Sequence, residues 1–286
     1  MAEAVIVATA RSPIGRANKG SLVDLRPDDL SAQIVRALMA KVPQVKPGDV
    51  EDLIMGCGQP AGESGFNIGR IVALLAGLDD CPGVTVNRYC SSSLQTIRMA
   101  AHAIKAGEGD CFIAAGVETV SRYQHGASDL APNPIFKPSG ERTKTRAAGG
   151  QGTWTPPSGL PDAYIAMGQT AENVREVEGV TRREMDEFAA RSQQRAVAHQ
   201  ENGFFEREIT PVTLPDGRVI AKDDGPRAST TKCRSAGSKN RSNRNSNNAN
   251  RNVRLGQVAT RVTDSWSRHS LRFPIPADHD RVGLFV

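Results

Sequence analysis

The chain has 286 residues, 38% of them apolar and 23% charged, with 27 Gly and 5 Cys, a composition that fits a globular protein and excludes fibrous, disulfide-rich and wholly disordered classes. No apolar run approaches the roughly 20 residues of a membrane-spanning helix, and Met1-Ala2-Glu3 leads straight into Ala4-Val5-Ile6-Val7 without a basic leader, so a cytoplasmic protein with no membrane partner is expected. The net charge of +5 conceals a division: residues 228–286 hold nine Arg and two Lys against three Asp, a net +8, which leaves residues 1–227 at −3.

In chain order, the apolar run 4–8 predicts a buried strand. From Pro27, the spacing of Leu30, Ile34, Ala37 and Leu38 predicts a helix, with Pro27, Asp28 and Asp29 suited to its first turn. Residues 52–57 predict a second strand and 67–76 a second helix closed by Gly77; a third strand covers about 83–87. A helix with Leu94, Ile97, Ala101 and Ile104 in register then runs to Gly107, and a fourth strand follows at 111–115. Strands alternating with helices imply crossover connections, hence an α/β fold with a parallel sheet. Residues 117–160 lack periodicity and read as an extended loop. Helices are expected at 162–178 and 182–202, the latter opened by a Thr181-x-x-Glu184 capping box, and a hairpin turns about Pro215-Asp216-Gly217. Three segments result: an α/β domain at 1–120, a lobe at 121–227, and an Arg/Ser/Asn-rich tail at 228–286. The tail has no Glu and few large apolar residues, and disorder is expected there.

Cys57, Cys81, Cys90, Cys111 and Cys233 are an odd set without a CxxC pair, so neither a disulfide framework nor a zinc site is expected. Cys90 stands apart because it falls at a strand-to-helix junction, in Asn87-Arg88-Tyr89-Cys90-Ser91-Ser92-Ser93. A thiol at a helix N-terminus faces unpaired backbone N–H groups and the positive end of the macrodipole, which favours the nucleophilic thiolate. The flanking serines are small and leave room for a substrate. By spacing alone, a single Cys is more often a small buried apolar residue. His102, His125 and His199 have no neighbours at metal-ligand spacing, and Gly56-Cys57-Gly58 lacks the third glycine of a dinucleotide loop.

Asn87-x-x-Cys90-x-Ser92-Ser93 resembles the nucleophile segment of the thiolases, the acyl-CoA:acetyl-CoA C-acyltransferases. Four further stretches, in order along the chain, are similar to the same family: Ala8-Thr9-Ala10-Arg11-Ser12-Pro13-Ile14-Gly15, Ala115-Gly116-Val117-Glu118-Thr119-Val120-Ser121, Met167-Gly168-Gln169-Thr170-Ala171-Glu172-Asn173 and Asp223-Asp224-Gly225-Pro226-Arg227. The resemblance implies a layered thiolase-like α/β fold of which this chain carries the N-terminal αβ half and the loop domain, with the second αβ half largely absent. It implies that Cys90 attacks a CoA thioester and holds the acyl group, as in fatty-acid β-oxidation, with acyl-CoA and CoA as substrates and no cofactor. Met167 would line the acyl or pantetheine pocket and Arg227 would contact the CoA nucleotide; their plainer readings are core filler and a solvated loop charge. Family members form dimers or tetramers, so a homo-oligomer is implied.

The resemblance stops at Arg227. The family's Gly-His-Pro motif and its second Cys, in Cys-x-Gly, have no counterpart: His269 sits in Arg-His-Ser, His279 in Asp-His-Asp and Cys233 in Lys-Cys-Arg-Ser. The tail therefore reads as altered coding sequence joined to a thiolase segment, which resequencing the gene would test. Impaired turnover is expected, the alternative being an inactive thiolase-like chain that binds acyl-CoA or a partner subunit. Ketoacyl and hydroxymethylglutaryl-CoA synthases use Cys on the same architecture, but the Met167–Asn173 stretch favours thiolase. Nucleic-acid binding by the basic tail is not expected, because no aromatic residues are interleaved with its charges.

Overall fold

The computed structural model describes residues 3–122, 132–148, 158–230 and 284–285. The chain divides into two compact units, one comprising Met1–Ser128, Gln200–Gly225 and Ala259–Val286, the other Asp129–His199 and Pro226–Val258.

The first unit is built on helix α1 (Pro27–Lys41), strand β1 (Asp52–Gly56), helix α2 (Ile68–Leu75), strand β2 (Gly83–Val86), helix α3 (Ser92–Ala106) and strand β3 (Phe112–Gly116). Helix α1 begins on Pro27, whose fixed φ suits a first turn and whose missing N–H has no intrahelical partner to lose; Asp28 and Asp29 follow at its positive end and Lys41 closes its negative end. The strands pair in parallel in the order β2-β1-β3, continued by β6 (Leu284–Phe285). Within that order the path from β1 to β2 runs one way across the sheet and the path from β2 to β3 runs back. Right-handed crossovers then put α2 and α3 on opposite faces.

Period-two alternation fills both faces. Leu53, Met55, Cys57, Ile113 and Ala115 pack with Leu30, Ile34, Val35 and Leu38 of α1 and Ile68 and Val72 of α2, while Ile54, Phe112 and Ala114 pack with Ala100 and Ile104 of α3. Each large side chain fully buried in this way contributes roughly 1.5–3 kcal/mol.

Four expectations are corrected. Residues 4–8 form no strand: Ala4 touches the α3-side cluster and Val7 and Ala8 the other, but Ile6 is exposed. Within 4–8 a single residue, Ile6, sits in an isolated β-bridge, which is too short to make a strand. The buried stripe of α3 is Ser92, Thr96, Ala100 and Ile104, which leaves Leu94 exposed. The stretch 117–160 holds helix α4 (Lys137–Ala147). It is polar all round and so shows no apolar period, and it is held by ties instead: Ser139 Oγ and Arg142 Nη2 donate to the Leu160 carbonyl, and Arg146 to Asn173 Oδ1 and Glu176 Oε2. In the tail, Leu284–Phe285 pairs with Ile113 and Ala114 of β3, so disorder does not hold at those two residues; residues 231–283 lie outside the described residues.

The helices of the second unit are α4, α5 (Met167–Val177) and α6 (Arg182–Glu201). Helix α5 starts five residues later than the sequence suggests. The capping box of α6 is formed, with Thr181 N–H donating to Glu184 Oε2 at 2.7 Å and Glu184 N–H to Thr181 Oγ1 at 3.3 Å. The hairpin of β4 (Val212–Thr213) and β5 (Val219–Ile220) belongs to the first unit and turns on Gly217 at φ 85.

One carboxylate is badly placed. Asp52 Oδ1 is buried at the start of β1 without a hydrogen-bond partner, and desolvation holds its carboxyl above the usual carboxylate range. A raised carboxyl favours the folded state fully below its unfolded value of about 3.9, and that contribution is lost as the pH rises through the folded value. Asp52→Asn is therefore expected to raise the Tm at pH 7 and to lose the advantage near pH 3. Thermal melts at the two pH values check it, and an Asn variant that melts below the wild type at pH 7 contradicts it.

Candidate active site

Cys90 lies between β2 and α3, at the carboxyl end of the parallel strands, where open α/β sheets place their ligands. The segment leaves β2 through Asn87, whose Oδ1 accepts the Tyr89 N–H at 2.7 Å. Tyr89 then adopts φ 46, the left-handed region that a bulky residue rarely enters. Residues Tyr89–Ser91 form a 3-10 turn, closed where Ser91 N–H donates to the Arg88 carbonyl at 3.0 Å. Ser92 Oγ accepts the Arg88 N–H at 2.8 Å and donates to the Tyr89 carbonyl at 2.6 Å. Cys90 is exposed at the apex of this turn, ahead of the first N–H groups of α3, which have no intrahelical acceptor.

The start of α3 rests directly on the sheet. A Cβ on Gly56 would lie 2.6 Å from the Ser92 carbonyl carbon and 2.7 Å from the Ser93 nitrogen, and a Cβ on Gly116 would collide with Ser93 Oγ. Glycine is thus required at 56, where the strand meets the backbone of the helix, whereas at 116 the contact is a serine hydroxyl that can turn aside. Thr96 Oγ1, buried, reaches the Ala115 carbonyl of β3 at 3.2 Å. Ser92 does not leave room for a substrate, being 3% exposed and bracing the turn; Ser91 and Ser93 are exposed, and Ser93, which lies over Gly116, also lines a cavity.

The other described thiols contrast with Cys90. Cys57, Cys81 and Cys111 are buried, and burial pushes each of them up to about 11. Glu118 adds to the effect at Cys57, whose Sγ is 3.9 Å from Glu118 Oε1, and its other oxygen accepts the Gly58 N–H at 2.8 Å. These three are protonated structural thiols at neutral pH. Among the described residues no histidine shares a hydrogen bond with the Cys90 sulfur, and His102 is exposed further along α3.

A cavity of about 370 Å³ opens at the same end of the sheet, between residues 10–17, α1 and the ends of β1 and β3. Ser93 and Glu118 are among its lining residues. Its outer wall is pinned by two residues that the sequence reading took only as the close of the lobe. Asp223 accepts Arg11 Nη1 and Nη2 at 3.0 and 3.1 Å and the Ile14 N–H at 2.7 Å; Asp224 Oδ2 accepts the N–H groups of Arg16 and Ser21 at 3.1 and 2.7 Å.

The remaining candidates belong to the second unit. Met167 opens α5 and is 41% exposed, so it is not core filler. In the same helix Asn173 is buried and accepts from Arg146 and Gln169, which ties α5 to α4. Arg227 is anchored by its backbone, its N–H donating to Gln193 Oε1 at 2.8 Å, and its side chain is exposed. Among the described residues no group of three or more His, Cys, Asp or Glu is placed to hold a metal, and no helix is long and apolar enough to cross a membrane.

Residues 4–234 match the family described as thiolase, N-terminal domain. The chain belongs to the thiolase family. It is 44% identical over 240 residues to the β-ketoadipyl-CoA thiolase of Acinetobacter baylyi, covering 81% of this chain and 58% of that protein. The 3-ketoacyl-CoA thiolase of Bacillus subtilis is 38% identical over 244 residues, covering 81% and 57%, and that of Shewanella loihica 42% identical over 212, covering 73% and 49%. The chain thus spans about half the length of these curated thiolases, 49–58%.

Proposed function

We propose that this thiolase chain is an acyltransferase that accepts acyl groups from CoA thioesters on Cys90. The observation that supports the reading is the contrast among its thiols: Cys90 is held exposed at a helix N-terminus, whereas three others are buried and protonated. In the step proposed, the Cys90 thiolate attacks the thioester carbonyl, a new carbon–sulfur bond forms and the bond to the CoA sulfur breaks. CoA leaves as a thiolate that takes up a proton from water. The acyl group then passes to a CoA thiol or to the α-carbon of a second thioester, so that one hard step is divided into two easier ones. The relatives' names, 3-ketoacyl-CoA and β-ketoadipyl-CoA thiolase, support CoA thioesters as the substrate class. Met167 and Arg227 are proposed as pantetheine and nucleotide contacts, the latter through the pairing of guanidinium with phosphate. No cofactor enters this chemistry, and a homo-oligomer in the cytoplasm completes the reading.

Without a base on the Cys90 sulfur among the described residues, acylation is proposed to outrun release, because a missing acid/base group costs roughly 10²–10⁴-fold. Mixing the full chain with acetyl-CoA should therefore yield a single covalent acetyl adduct on the Cys90 peptide, read by mass spectrometry, whereas acetoacetyl-CoA and CoA supplied together should show no sustained loss of acetoacetyl-CoA. An unmodified Cys90 peptide overturns the enzymatic reading. Sustained thiolysis overturns the impairment only.

A further inference from the structure

The turn that carries Cys90 contains a conformation that would not persist by itself. Tyr89 is one of three non-glycine residues with positive φ among the described residues, the others being Asn18 and Asn67. Asparagine tolerates the left-handed region because its short amide can bond its own backbone, whereas a tyrosine brings a Cβ clash and no such compensation. Its ring is exposed, so packing does not hold it either. The 3-10 turn supplies backbone bonds from Ser91 N–H to the Arg88 carbonyl and from Ser92 N–H to the Tyr89 carbonyl, and a pair of side chains adds to them on either side. Asn87 Oδ1 accepts the Tyr89 N–H, and Ser92 Oγ donates to the Tyr89 carbonyl while accepting the Arg88 N–H. Both peptide groups of Tyr89 are thereby fixed by side chains. Ser92 is itself immobile, because the backbone about it lies against Gly56.

We propose that Asn87 and Ser92 are positioning residues that clamp Tyr89 in its left-handed conformation and so set the direction in which Cys90 presents its sulfur. The inference rests on Cys90 being the acyl acceptor. With either clamp removed, Tyr89 relaxes to negative φ, the turn unwinds toward the helix, and the sulfur leaves its place at the N-terminus of α3. Strain of this kind survives only where the surroundings over-determine it, and here the surroundings include two identifiable side chains.

The test uses the full chain and four variants: Asn87→Ala, Ser92→Ala, and each of these combined with Tyr89→Gly. Two rates are read at Cys90 by peptide mass spectrometry, alkylation by iodoacetamide and acylation by acetyl-CoA. Each Ala variant is expected to acylate at least roughly tenfold more slowly, since small misplacements of a reacting atom cost that much or more. Glycine at 89 takes positive φ without penalty and is expected to restore the rate in both backgrounds, a rescue that a merely structural loss would not show. Asn87 is exposed, so its variant keeps the test available if Ser92→Ala does not fold. Wild-type rates in Asn87→Ala, or slow rates that glycine fails to restore, overturn the clamp. If wild-type Cys90 takes no acyl group at all, the acyltransferase reading fails instead, and the alkylation rates still decide whether the clamp positions the sulfur.

Discussion

Iodoacetamide at pH 7 is expected to label the folded chain at Cys90 and to leave Cys57, Cys81 and Cys111 untouched, and Cys90→Ser is expected to abolish that labelling. The thiolate is the species that reacts. A thiol pushed up to about 11 is ionised to only about one part in 10⁴ at pH 7, and each of these three is also buried beneath a helix or a strand end. Both factors act against them, whereas Cys90 is exposed. Cys233 lies outside the described residues, so the comparison belongs in a Cys233→Ser background. Peptide mapping before and after addition of denaturant reads the result, since all the thiols should label once the chain is unfolded. Appreciable label on Cys57 in the folded chain, or label that persists elsewhere in Cys90→Ser at the wild-type rate, would show that the exposed sulfur is not the distinctive one. The outcome bears on the chemistry directly: if a small alkylating reagent cannot single out Cys90, an acyl thioester has no basis for doing so.

How far the sequence could be read depended on the range of the interaction concerned. Helices α1, α2, α3 and α6 and the strands β1, β2 and β3 carry local signatures, such as the Pro27 start, the Thr181 to Glu184 box and the positive-φ glycines at 77 and 107, and each fell where its pattern put it. Helix α4 did not, because its stability comes from ties to Leu160, Asn173 and Glu176 rather than from an apolar face, and no window along the sequence contains those partners. Leu94 illustrates a third case. Its spacing fits the apolar stripe of α3, yet the close seat of the helix on Gly56 and Gly116 turns Thr96 and Ala100 inward and leaves Leu94 outside. The site divides in the same way. Cys90 at a helix N-terminus was legible from its neighbours, and the clamp around it is visible in the spacing Asn87-x-Tyr89 once asparagine is read as an Asx turn. The bracing role of Ser92 is not legible in the sequence, because its partners, the Arg88 N–H and the Tyr89 carbonyl, depend on the backbone's path.

The longest-range element of the site is also where a single substitution is expected to cost the most stability. The loop at residues 11–21 forms one wall of the 370 Å³ cavity and has little secondary structure of its own, and its backbone donors are met from two hundred residues away. Asp224 receives the Arg16 and Ser21 N–H groups and the Ser21 hydroxyl, while its own N–H donates to the Ile14 carbonyl at 3.0 Å. Asp223, with its side chain 8% exposed, takes both guanidinium nitrogens of Arg11. The other partners of Arg11 are weaker or more exposed: Glu208 Oε2 lies 3.5 Å from its Nε, the Ser12 carbonyl 3.2 Å from its Nη1 and the Phe205 ring centroid 5.3 Å from the guanidinium. Replacing Asp224 by Ala leaves two backbone donors and a hydroxyl without acceptors in a half-buried setting. Replacing Asp223 by Ala removes the paired carboxylate from a partly buried guanidinium and leaves it the longer contact with Glu208, and it takes the acceptor from the Ile14 N–H. Each change is expected to cost about 2–4 kcal/mol, and Asp223→Asn less, since an amide keeps one acceptor oxygen but not the paired, charged geometry of the carboxylate. The first unit should melt several degrees lower in both Ala variants, and limited trypsin digestion should cut first at Arg16 or Lys19, which lie in the loop so released. Ala variants that melt with the wild type and resist trypsin at those sites would show that the two aspartates do not hold the loop. If instead the loop is freed while α1 and the sheet remain folded, Cys90 labelling should persist, because the turn around the sulfur is braced from Asn87 and Ser92 and not from residues 11–21.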